Sequence, residues 1–239
     1  MPKPFLEMLT PQMELVELKN GDVLPGLDAR GQYIYFPISA VMAVIYILSG
    51  GSSLQVAYVA NDGMAGHEFL MGENHSANRL LVLKPGYAYR LRMDTARGLF
   101  ELGGHFQLII LRFSHLLTRR ISQSAACYRY HSVEQLFCRW LLTYVDKAGE
   151  NQIRITHEVI SHLLGVRRES ITELLGKLQK AGLVASGRAR LEVRDRAALE
   201  ARCCECYSTV KRDIEAILPP VPPPLMPAVQ YVAPRSAVD

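Results

Sequence analysis

The sequence lacks a hydrophobic stretch long enough to cross a membrane. Its longest apolar run covers residues 36–48 and contains Pro37, whereas a spanning helix needs about 20 apolar residues. Pro2, Pro4 and Glu7 interrupt any apolar run near the start, so the sequence predicts no targeting signal there. We therefore expect a chain with no membrane partner, in which residues 36–48 form buried strands.

Cysteine is also scarce. The five cysteines are odd in number and follow no disulfide framework, so the sequence predicts a chain of the reducing cytoplasm. Cys203, Cys204 and Cys206 lie close together near the end of the chain. Because neighbouring cysteines on a helix point in different directions and no second pair at ligand spacing is present, we predict no metal site and interpret these cysteines as structural. Thiol-based regulation is the alternative, and it would require an exposed thiol with a lowered pKa.

The short motifs of common enzyme classes are missing as well. The sequence contains no nucleophile elbow, phosphate loop or paired catalytic carboxylates. His67, His75 and His105 could serve as metal ligands in a sheet domain, as in a cupin-type enzyme with a jelly-roll fold. The His-x-His run typical of cupins is absent, so we interpret each histidine as packed or exposed. The sequence predicts a protein that is not an enzyme.

Neither sign of charge is in large excess over the whole chain, but the charged residues are distributed unevenly. The formal net charge is +4, and residues 1–100 hold eight Lys or Arg against nine Asp or Glu. Residues 151–212 hold twelve basic residues against seven acidic ones. A basic module beside a neutral one is typical of a protein in which only one module meets a polyanion. Ordinary variation in surface charge is the alternative explanation.

The first hundred residues show the pattern of β-strands. Short runs rich in Val, Ile and Tyr alternate with turn residues such as Asn61-Asp62-Gly63 and Pro85-Gly86. The predicted strands cover residues 33–37, 41–48, 54–59, 80–83 and 88–93. Their regular spacing predicts an antiparallel β-roll of the jelly-roll kind in domain 1–103 and an α+β fold for the whole chain.

The periodicity changes after this domain. Apolar side chains recur at spacings of four and three, which predicts an amphipathic helix over residues 104–131. The seam consists of Phe106, Ile110, Phe113, Leu117 and Ile121. A long helix with so narrow a seam is expected to pair with its copy as a dimerisation helix. Packing of the seam against the chain's own β-roll is the alternative.

Another helix and a third domain follow. Ser132 and Gln135 match a capping box, and the helix they begin is predicted to end near Gly149. The third domain covers residues 132–217. Seven of the 13 prolines lie in the segment 218–239, which is predicted to be a disordered tail or, alternatively, a ligand for a protein partner.

Residues 155–184 carry the most informative pattern. Thr156 can cap a short helix, Gly165 stands where a turn between two helices needs a left-handed residue, and Ile171, Leu174 and Leu178 give the second helix an apolar inner face. This arrangement predicts a helix-turn-helix. Residues 183–193 add two short strands around a turn, which predicts a wing. An ordinary helical hairpin is the alternative.

The outer face of the second helix has the side chains that a DNA reader needs. Arg can make a paired contact to guanine and Glu can accept a hydrogen bond from cytosine. The predicted base-reading residues are Arg167, Arg168, Glu169, Ser170, Thr172 and Glu173. The predicted phosphate contacts are Thr156, Lys177, Lys180, Arg188 and Arg190.

With these elements in this order, the sequence resembles the Crp/Fnr superfamily of bacterial transcription regulators over nearly its whole length. The most specific part is the run Gly165-Val-Arg-Arg-Glu-Ser-Ile-Thr172. The resemblance implies a cyclic-nucleotide-binding-like β-roll, a dimerisation helix and a winged helix-turn-helix that binds a palindromic site as a homodimer. Arg168 and Glu169 correspond to the family's Arg-Glu pair. Glu173 stands at a third reading position that is basic in the cyclic-AMP-responsive members, so the target sequence is expected to differ.

The sensory half departs from the family pattern. Cyclic-nucleotide binders hold the phosphate with a Gly-Glu pair and a later Arg-Ser-Ala run, and a buried phosphate needs that Arg. This chain has Gly66-His67-Glu68, then His75-Ser76-Ala77, and Arg79 is the nearby Arg. We therefore predict no control by cyclic nucleotide, while the candidate effector pocket comprises Gly66, His67, His75, Ser76 and Arg79.

The other cofactors of the family are not expected either. The oxygen-responsive members hold an iron–sulphur cluster with N-terminal cysteines, whereas the first cysteine here is Cys127. The sequence thus predicts a cytoplasmic homodimer that binds double-stranded DNA without a cofactor. RNA polymerase is a further candidate partner, and the effector is not identified. The rival hypotheses are a cupin-like metal enzyme and a protein-interaction module that works through the proline-rich tail.

Overall fold

The structure, a computed structural model, describes residues 3–24, 33–72 and 78–217. The strands of the first half are Met13–Leu18 (β1), Val23–Leu24 (β2), Tyr33–Pro37 (β3), Val41–Ile47 (β4), Ser53–Val59 (β5), Asn78–Lys84 (β6) and Gly86–Arg92 (β7). The three short strands of the second half are Gln152–Ile153 (β8), Val184–Gly187 (β9) and Arg190–Val193 (β10). The helices are Lys3–Leu9 (α1), Met93–Glu101 (α2), Gly104–Tyr130 (α3), Val133–Ala148 (α4), His157–Leu164 (α5), Arg168–Lys180 (α6), Arg196–Ala201 (α7) and Cys206–Ile217 (α8).

The N-terminal domain consists of two antiparallel sheets. One sheet has the strand order β1-β7-β3, and the other has the order β2-β6-β4-β5. The α+β fold predicted from the sequence, with its β-roll, long helix and winged helix-turn-helix, is confirmed. All five predicted strands are present as β3 to β7, and β1 adds a sixth long enough to form six pairs with β7. The last predicted strand, residues 88–93, extends one residue too far, since Met93 is the first residue of the helix Met93–Glu101.

The four-stranded sheet contributes to two different cores. On β4, Met42 and Val44 pack into the core of the N-terminal domain, while Val41 and Ala43 pack into the core of the C-terminal half. Since successive side chains of a strand point to opposite faces, this alternation places the sheet between the two halves of the chain. The sheet is therefore buried on both faces, and its strands have few polar residues.

The long helix α3 begins and ends where the sequence predicts, but its seam faces a different surface. Phe106, Ile110 and Phe113 are at most 1% exposed and belong to the core of the chain's own N-terminal domain, and Leu117 packs partly against that core. The predicted pairing of two subunits through Phe106, Ile110 and Phe113 is wrong, because their apolar surface is already covered by the β-roll. A role for Leu117 and Ile121 in pairing stays a prediction. Only Ile121 of the predicted seam is exposed.

The helices of the C-terminal half begin at the residues that the sequence indicates. Ser132 and Gln135 form the predicted capping box, and α4 ends at Gly149 with a left-handed backbone. The predicted domain boundaries themselves stay predictions, and the tail 218–239 lies outside the described residues. Within the described residues, none of the helices has the length and apolar character needed to cross a bilayer.

Buried hydrogen bonds connect the N-terminal sheet to the C-terminal half. Gln55 is 4% exposed, and its side-chain oxygen accepts a hydrogen bond from the Trp140 indole at 2.8 Å. The Tyr58 hydroxyl donates to the Trp140 carbonyl at 3.0 Å, and the Tyr128 hydroxyl donates to the Gln55 carbonyl at 3.0 Å. Because an unsatisfied buried polar group is costly, these bonds select one relative position of strand β5 and helix α4.

A carboxylate shared by two cations forms a second connection. Asp62, which follows β5, lies 2.9 Å from both the Arg120 guanidinium of α3 and the Lys147 ammonium of α4. Burial opposes ionisation of Asp62, but Lys147 and Arg120 together lower the pKa of this carboxyl group. The pKa of Lys147 is also lowered, because burial outweighs the attraction of a carboxylate that serves two cations.

We predict that Asp62→Asn destabilises the protein by roughly 3 kcal/mol, because it leaves Arg120 and Lys147 buried without a counter-ion. Urea unfolding at neutral pH would measure this change. The control is Asp94→Asn, whose side chain is 84% exposed beside Arg92 and which should change stability by less than about 0.5 kcal/mol. Equal effects of the two substitutions would contradict a structural role for the Asp62 cluster.

Candidate nucleic-acid interface

The turn between α5 and α6 is built on a left-handed glycine. Thr156 caps α5, since its side chain accepts a hydrogen bond from the Val159 amide. Gly165 ends the helix with φ 62° and ψ 33°, and the Val166 amide donates to the Ser161 carbonyl at 3.0 Å across the turn. This is the bonding of a Schellman turn, which glycine adopts without steric cost. The predicted helix-turn-helix is therefore present.

The second helix of this motif has a buried and an exposed face. Its inner side chains Ile171, Leu174, Leu175 and Leu178 are at most 7% exposed. The predicted base-reading side chains lie on the other side of α6 or at its start: Arg167, Arg168, Glu169, Thr172 and Glu173 are exposed, and Ser170 is half-buried. The structure thus brings all six together on one helix, although their base contacts stay predictions.

Two of these side chains are engaged within the protein. The Thr172 hydroxyl donates to the Arg168 carbonyl at 3.1 Å, and Glu173 forms a 2.9 Å ion pair with Lys177 one turn later. The hydrogen bond and charge of this pair lower the pKa of Glu173 and raise that of Lys177. Both partners are more than 60% exposed, so the pair is weak and can be exchanged for a DNA contact.

The wing is a two-stranded hairpin next to this helix. Strands β9 and β10 pair in antiparallel register, and β8 extends the sheet on the other side of β10. The turn consists of Arg188 and Ala189, and Ala189 has a positive φ of 56°. Residues 185–187 continue strand β9, so the turn predicted within residues 183–193 is confined to Arg188 and Ala189. Arg188 and Arg190 are exposed at this hairpin, and Arg190 lies 3.4 Å from Glu192.

His157 connects the three parts of the motif, and sequence reasoning overlooked it. Its Nδ1 atom lies 3.2 Å from the Thr172 hydroxyl on α6, and its Nε2 atom lies 3.1 Å from the Ser186 hydroxyl on the wing. The Ser186 amide also donates to the Gln179 side chain at 3.3 Å. No sequence signal marks such a residue, because its two partners lie 15 and 29 positions further along the chain.

Comparison with known proteins agrees with this geometry. Residues 137–202 match the Crp-like helix-turn-helix domain family. The transcriptional regulator SdrP of Thermus thermophilus is 23% identical over 197 residues, which cover 78% of this chain and 93% of that protein. Residues 137–202 therefore form a Crp-like helix-turn-helix domain, and the chain as a whole is similar to a bacterial transcription regulator.

Solved structures show that the Crp/Fnr fold extends beyond the matched domain. TTHB099, a CRP-family transcriptional regulator of Thermus thermophilus, superimposes with a TM-score of 0.66 at 18% identity and covers 78% of this chain and 95% of its own. FixK2 of Bradyrhizobium japonicum has a TM-score of 0.66 at 13% identity and covers 80% and 98%. At these identities the likeness shows the fold, which includes the β-roll and the long helix.

Of the predicted effector-pocket residues, Gly66, His67 and Arg79 lie in the described part of the chain, and the pocket itself stays a prediction. His67 is 6% exposed, and its ring stands edge-on to Phe113 at 5.1 Å. Burial lowers the pKa of His67 to about 4, so the ring is neutral and its 3.3 Å contact with Glu68 is not an ion pair. Arg79 is exposed on β6, while His75 and Ser76 lie outside the described residues. A neutral, apolar-packed His67 is unsuited to bind a phosphate.

Gly66 has a structural reason to be glycine. Its φ is 90°, and a Cβ atom there would lie 2.8 Å from the Tyr33 carbonyl oxygen. The backbone of residue 66 therefore approaches β3 closely, beside the bridge between Tyr35 and Ala65. The requirement for glycine follows from this contact and does not depend on a ligand.

We predict that Gly165→Ala destabilises the protein by about 1 kcal/mol, because alanine is strained at a positive φ. The matched control is Gly176→Ala on the exposed face of α6, where no atom lies within 4 Å of the added Cβ. This control should stabilise the protein by about 0.5–1 kcal/mol, as expected for alanine replacing glycine inside a helix. Urea unfolding would measure both, and a stabilising Gly165→Ala would contradict the left-handed turn.

We also predict that His67 makes the protein less stable as the pH falls. With a pKa of about 4 in the folded chain and 6.5 as its ordinary value, the unfolded state binds a proton that the folded state excludes. Stability contributed by the neutral ring is complete above pH 6.5 and is lost toward pH 4, by about 3 kcal/mol in total.

The variant His67→Gln should reduce the slope of unfolding free energy against pH in this window, whatever constant offset the substitution adds. His115→Gln, at an exposed position on α3, is the control and should keep the slope. Denaturant unfolding across the pH series would measure it. An unchanged slope in His67→Gln would show that the buried ring is not the group responsible.

Proposed function

We propose that the chain is a cytoplasmic, homodimeric transcription regulator that binds a palindromic operator in double-stranded DNA. The observation that carries the proposal is the exposed face of α6, which presents two arginines, two glutamates and a threonine next to a basic wing. A helix of this kind fits the major groove, with its first turns nearest the base edges. In an α+β chain without an enzyme motif, such a surface is best explained by sequence-specific contacts with DNA bases.

The roles of the side chains follow from their positions on α6. Arg167 and Arg168 stand at its N-terminal end and are suited to paired contacts with guanine, while Glu169 can accept a hydrogen bond from cytosine. Ser170, Thr172 and Glu173 complete the reading face. The phosphate contacts are assigned to Thr156, Lys177, Lys180, Arg188 and Arg190, which are exposed around this face.

The dimer is proposed to use the outer face of α3. Leu108, Leu111 and Ile121 are 36–47% exposed on this helix. Leu111, Ser114, Thr118, Ile121 and Ala125 follow the alternating three- and four-residue spacing of a coiled-coil seam. The Ser114 and Thr118 hydroxyls donate to carbonyls of their own helix at 2.8 and 2.9 Å, so they add little polarity to the contact. A second copy of α3 is the occupant that this self-complementary surface fits best.

Control by a cyclic nucleotide is not part of the proposal. The departures of residues 66–68 and 75–77 from the phosphate-binding pattern support this view, as does the neutral His67 packed against Phe113. The cupin-like alternative is disfavoured because the His-x-His run typical of cupins is absent from the sequence. The interaction-module alternative rests on the tail 218–239, which lies outside the described residues.

We predict that the purified protein selects a two-fold-symmetric site from a random DNA pool. Arg168→Ala should weaken binding to that site by about 1–3 kcal/mol and relax its preference at one base position in each half-site. Lys177→Ala should weaken binding to all sequences alike. It should also reduce the slope of log affinity against log salt concentration by about one per subunit, or about two per dimer. Fluorescence anisotropy on selected and scrambled duplexes across a salt series would separate the two effects.

Arg92→Ala is the matched control, because Arg92 is 71% exposed on the N-terminal domain and far along the chain from α6. It should leave both affinity and preference unchanged. Selection of a site without two-fold symmetry would contradict the dimer, and sequence preference that survives in Arg168→Ala would contradict its reading role. Absence of DNA binding at low salt would overturn the proposal.

A further inference from the structure

Four side chains of the type that binds transition metals meet where α3 ends. Cys127 is in the last turn of α3, and His131 follows the helix four residues later, so the two lie on one face. Cys204 lies between α7 and α8, and Cys206 is the first residue of α8. The Sγ atoms of the three cysteines and a ring nitrogen of His131 all lie within 4.8 Å of one another. This cluster of Cys127, His131, Cys204 and Cys206 is outside the DNA-binding surface.

Two of the distances between these atoms match those of a tetrahedral zinc site, and all of them are at most 4.8 Å. With Zn–S distances of about 2.3 Å and Zn–N distances of about 2.0–2.1 Å, tetrahedral geometry places neighbouring sulfurs about 3.8 Å apart and sulfur and nitrogen about 3.6 Å apart. The Cys127 and Cys204 sulfurs are separated by 3.6 Å. The Cys206 sulfur and the His131 Nδ1 atom are separated by 3.6 Å. Small adjustments of the side chains would place a single ion at the centre.

Polar side chains around the cluster contact its four side chains, as is usual around metal sites. The Nε2 atom of His131 lies 3.3 Å from a Glu205 carboxylate oxygen, which leaves Nδ1 directed at the cysteines. A carboxylate on the far nitrogen of a histidine orients the ring and increases its basicity as a ligand. The Gln123 amide also donates a hydrogen bond to the Cys206 sulfur at 2.9 Å.

The surroundings of the cysteines are closed to solvent. Cys127, Cys204 and Cys206 are at most 5% exposed, and the His131 side chain is 16% exposed. Burial raises the pKa of the Cys127 thiol, and Arg139 opposes that rise through its positive charge. A nearby cation would help to balance the net negative charge that three thiolates, one imidazole and a divalent ion carry together.

A disulfide is the alternative chemistry for the closest pair. It would require the Cys127 and Cys204 sulfurs to approach from 3.6 Å to about 2.05 Å. It would also leave unexplained why His131, its carboxylate partner and Cys206 converge on the same point. A single metal ion accounts for all four side chains.

We propose that Cys127, His131, Cys204 and Cys206 bind one Zn²⁺ in a closed, structural site. Binding replaces three thiol protons with the ion, so three protons leave to solvent for each Zn²⁺ bound. All four positions are filled by the protein, which is typical of structural rather than catalytic zinc. The ion ties the segment between α7 and α8, and with it the end of the winged-helix domain, to the C-terminal end of α3.

The sequence did not reveal this cluster, because its four ligands are divided between two parts of the chain. The pattern Cys-x3-His at 127–131 is separated from Cys-x-Cys at 204–206 by more than seventy residues. Folding brings α8 against α3 and creates the cluster. Cys203 is half-buried beside these residues but is not one of the four.

Elemental analysis of the full-length protein tests the proposal. The protein would be purified without an affinity tag that binds metal, after growth with added zinc, and gel-filtered to remove loose ions. We expect about one zinc per chain, and a loss of more than about tenfold in Cys127→Ser, Cys206→Ser and His131→Ala. Cys203→Ser, the matched neighbour, should keep the full zinc content.

Cobalt substitution keeps the test valid if a ligand variant fails to fold. Native protein stripped of zinc and titrated with Co²⁺ should develop the intense visible absorption of a tetrahedral thiolate site, saturating at about one equivalent. Zinc should then displace the cobalt. Native protein that contains no zinc and gives no such spectrum would overturn the proposal. A Cys127–Cys204 disulfide found by mass spectrometry of the unreduced native protein would overturn it as well.

Discussion

The burial of one sheet on both faces is the constraint on which the arrangement of this protein depends. Alternate residues of β4 enter two separate cores, with Met42 and Val44 on one side and Val41 and Ala43 on the other. An antiparallel sheet with one free face would carry polar side chains there, but this sheet must be covered to stay folded. The C-terminal half supplies the cover, so the DNA-binding domain is not an appendage of the β-roll.

This contact extends to the helix-turn-helix itself. Strand β5 lies against α5, where Leu54 is the nearest side chain to the turn at Gly165 and the Ser53 hydroxyl donates to the His162 carbonyl at 3.4 Å. The buried bonds among Gln55, Trp140 and Tyr128 hold the strand and the helices in one relative position. The N-terminal sheet therefore contacts the helix-turn-helix directly, through β5 and α5.

Much of the fold could be predicted because its signals are local. The turn residues around β3 to β7, the Ser132 capping box and the left-handed Gly165 each depend on a few neighbours in the chain. Sequence could not determine which surface covers a seam. Phe106, Ile110 and Phe113 read equally well as a dimer contact or as part of the chain's own core, and only the docking of α3 on the β-roll decided between them. His157, with two partners on distant elements, gave no local signal at all.

The sequence alone determined the order and type of the elements from β3 to β7, of α3 and α4 and of the winged helix-turn-helix, together with the charged face of α6. Periodicity, capping and turn residues act over a few positions, and the chain displays them directly. The tertiary structure alone decided that β4 serves two cores, that Asp62 is shared by Arg120 and Lys147, and that Cys127 and His131 meet Cys204 and Cys206. Each of these depends on contacts between residues far apart in the chain, and such contacts leave no periodic trace in a single sequence.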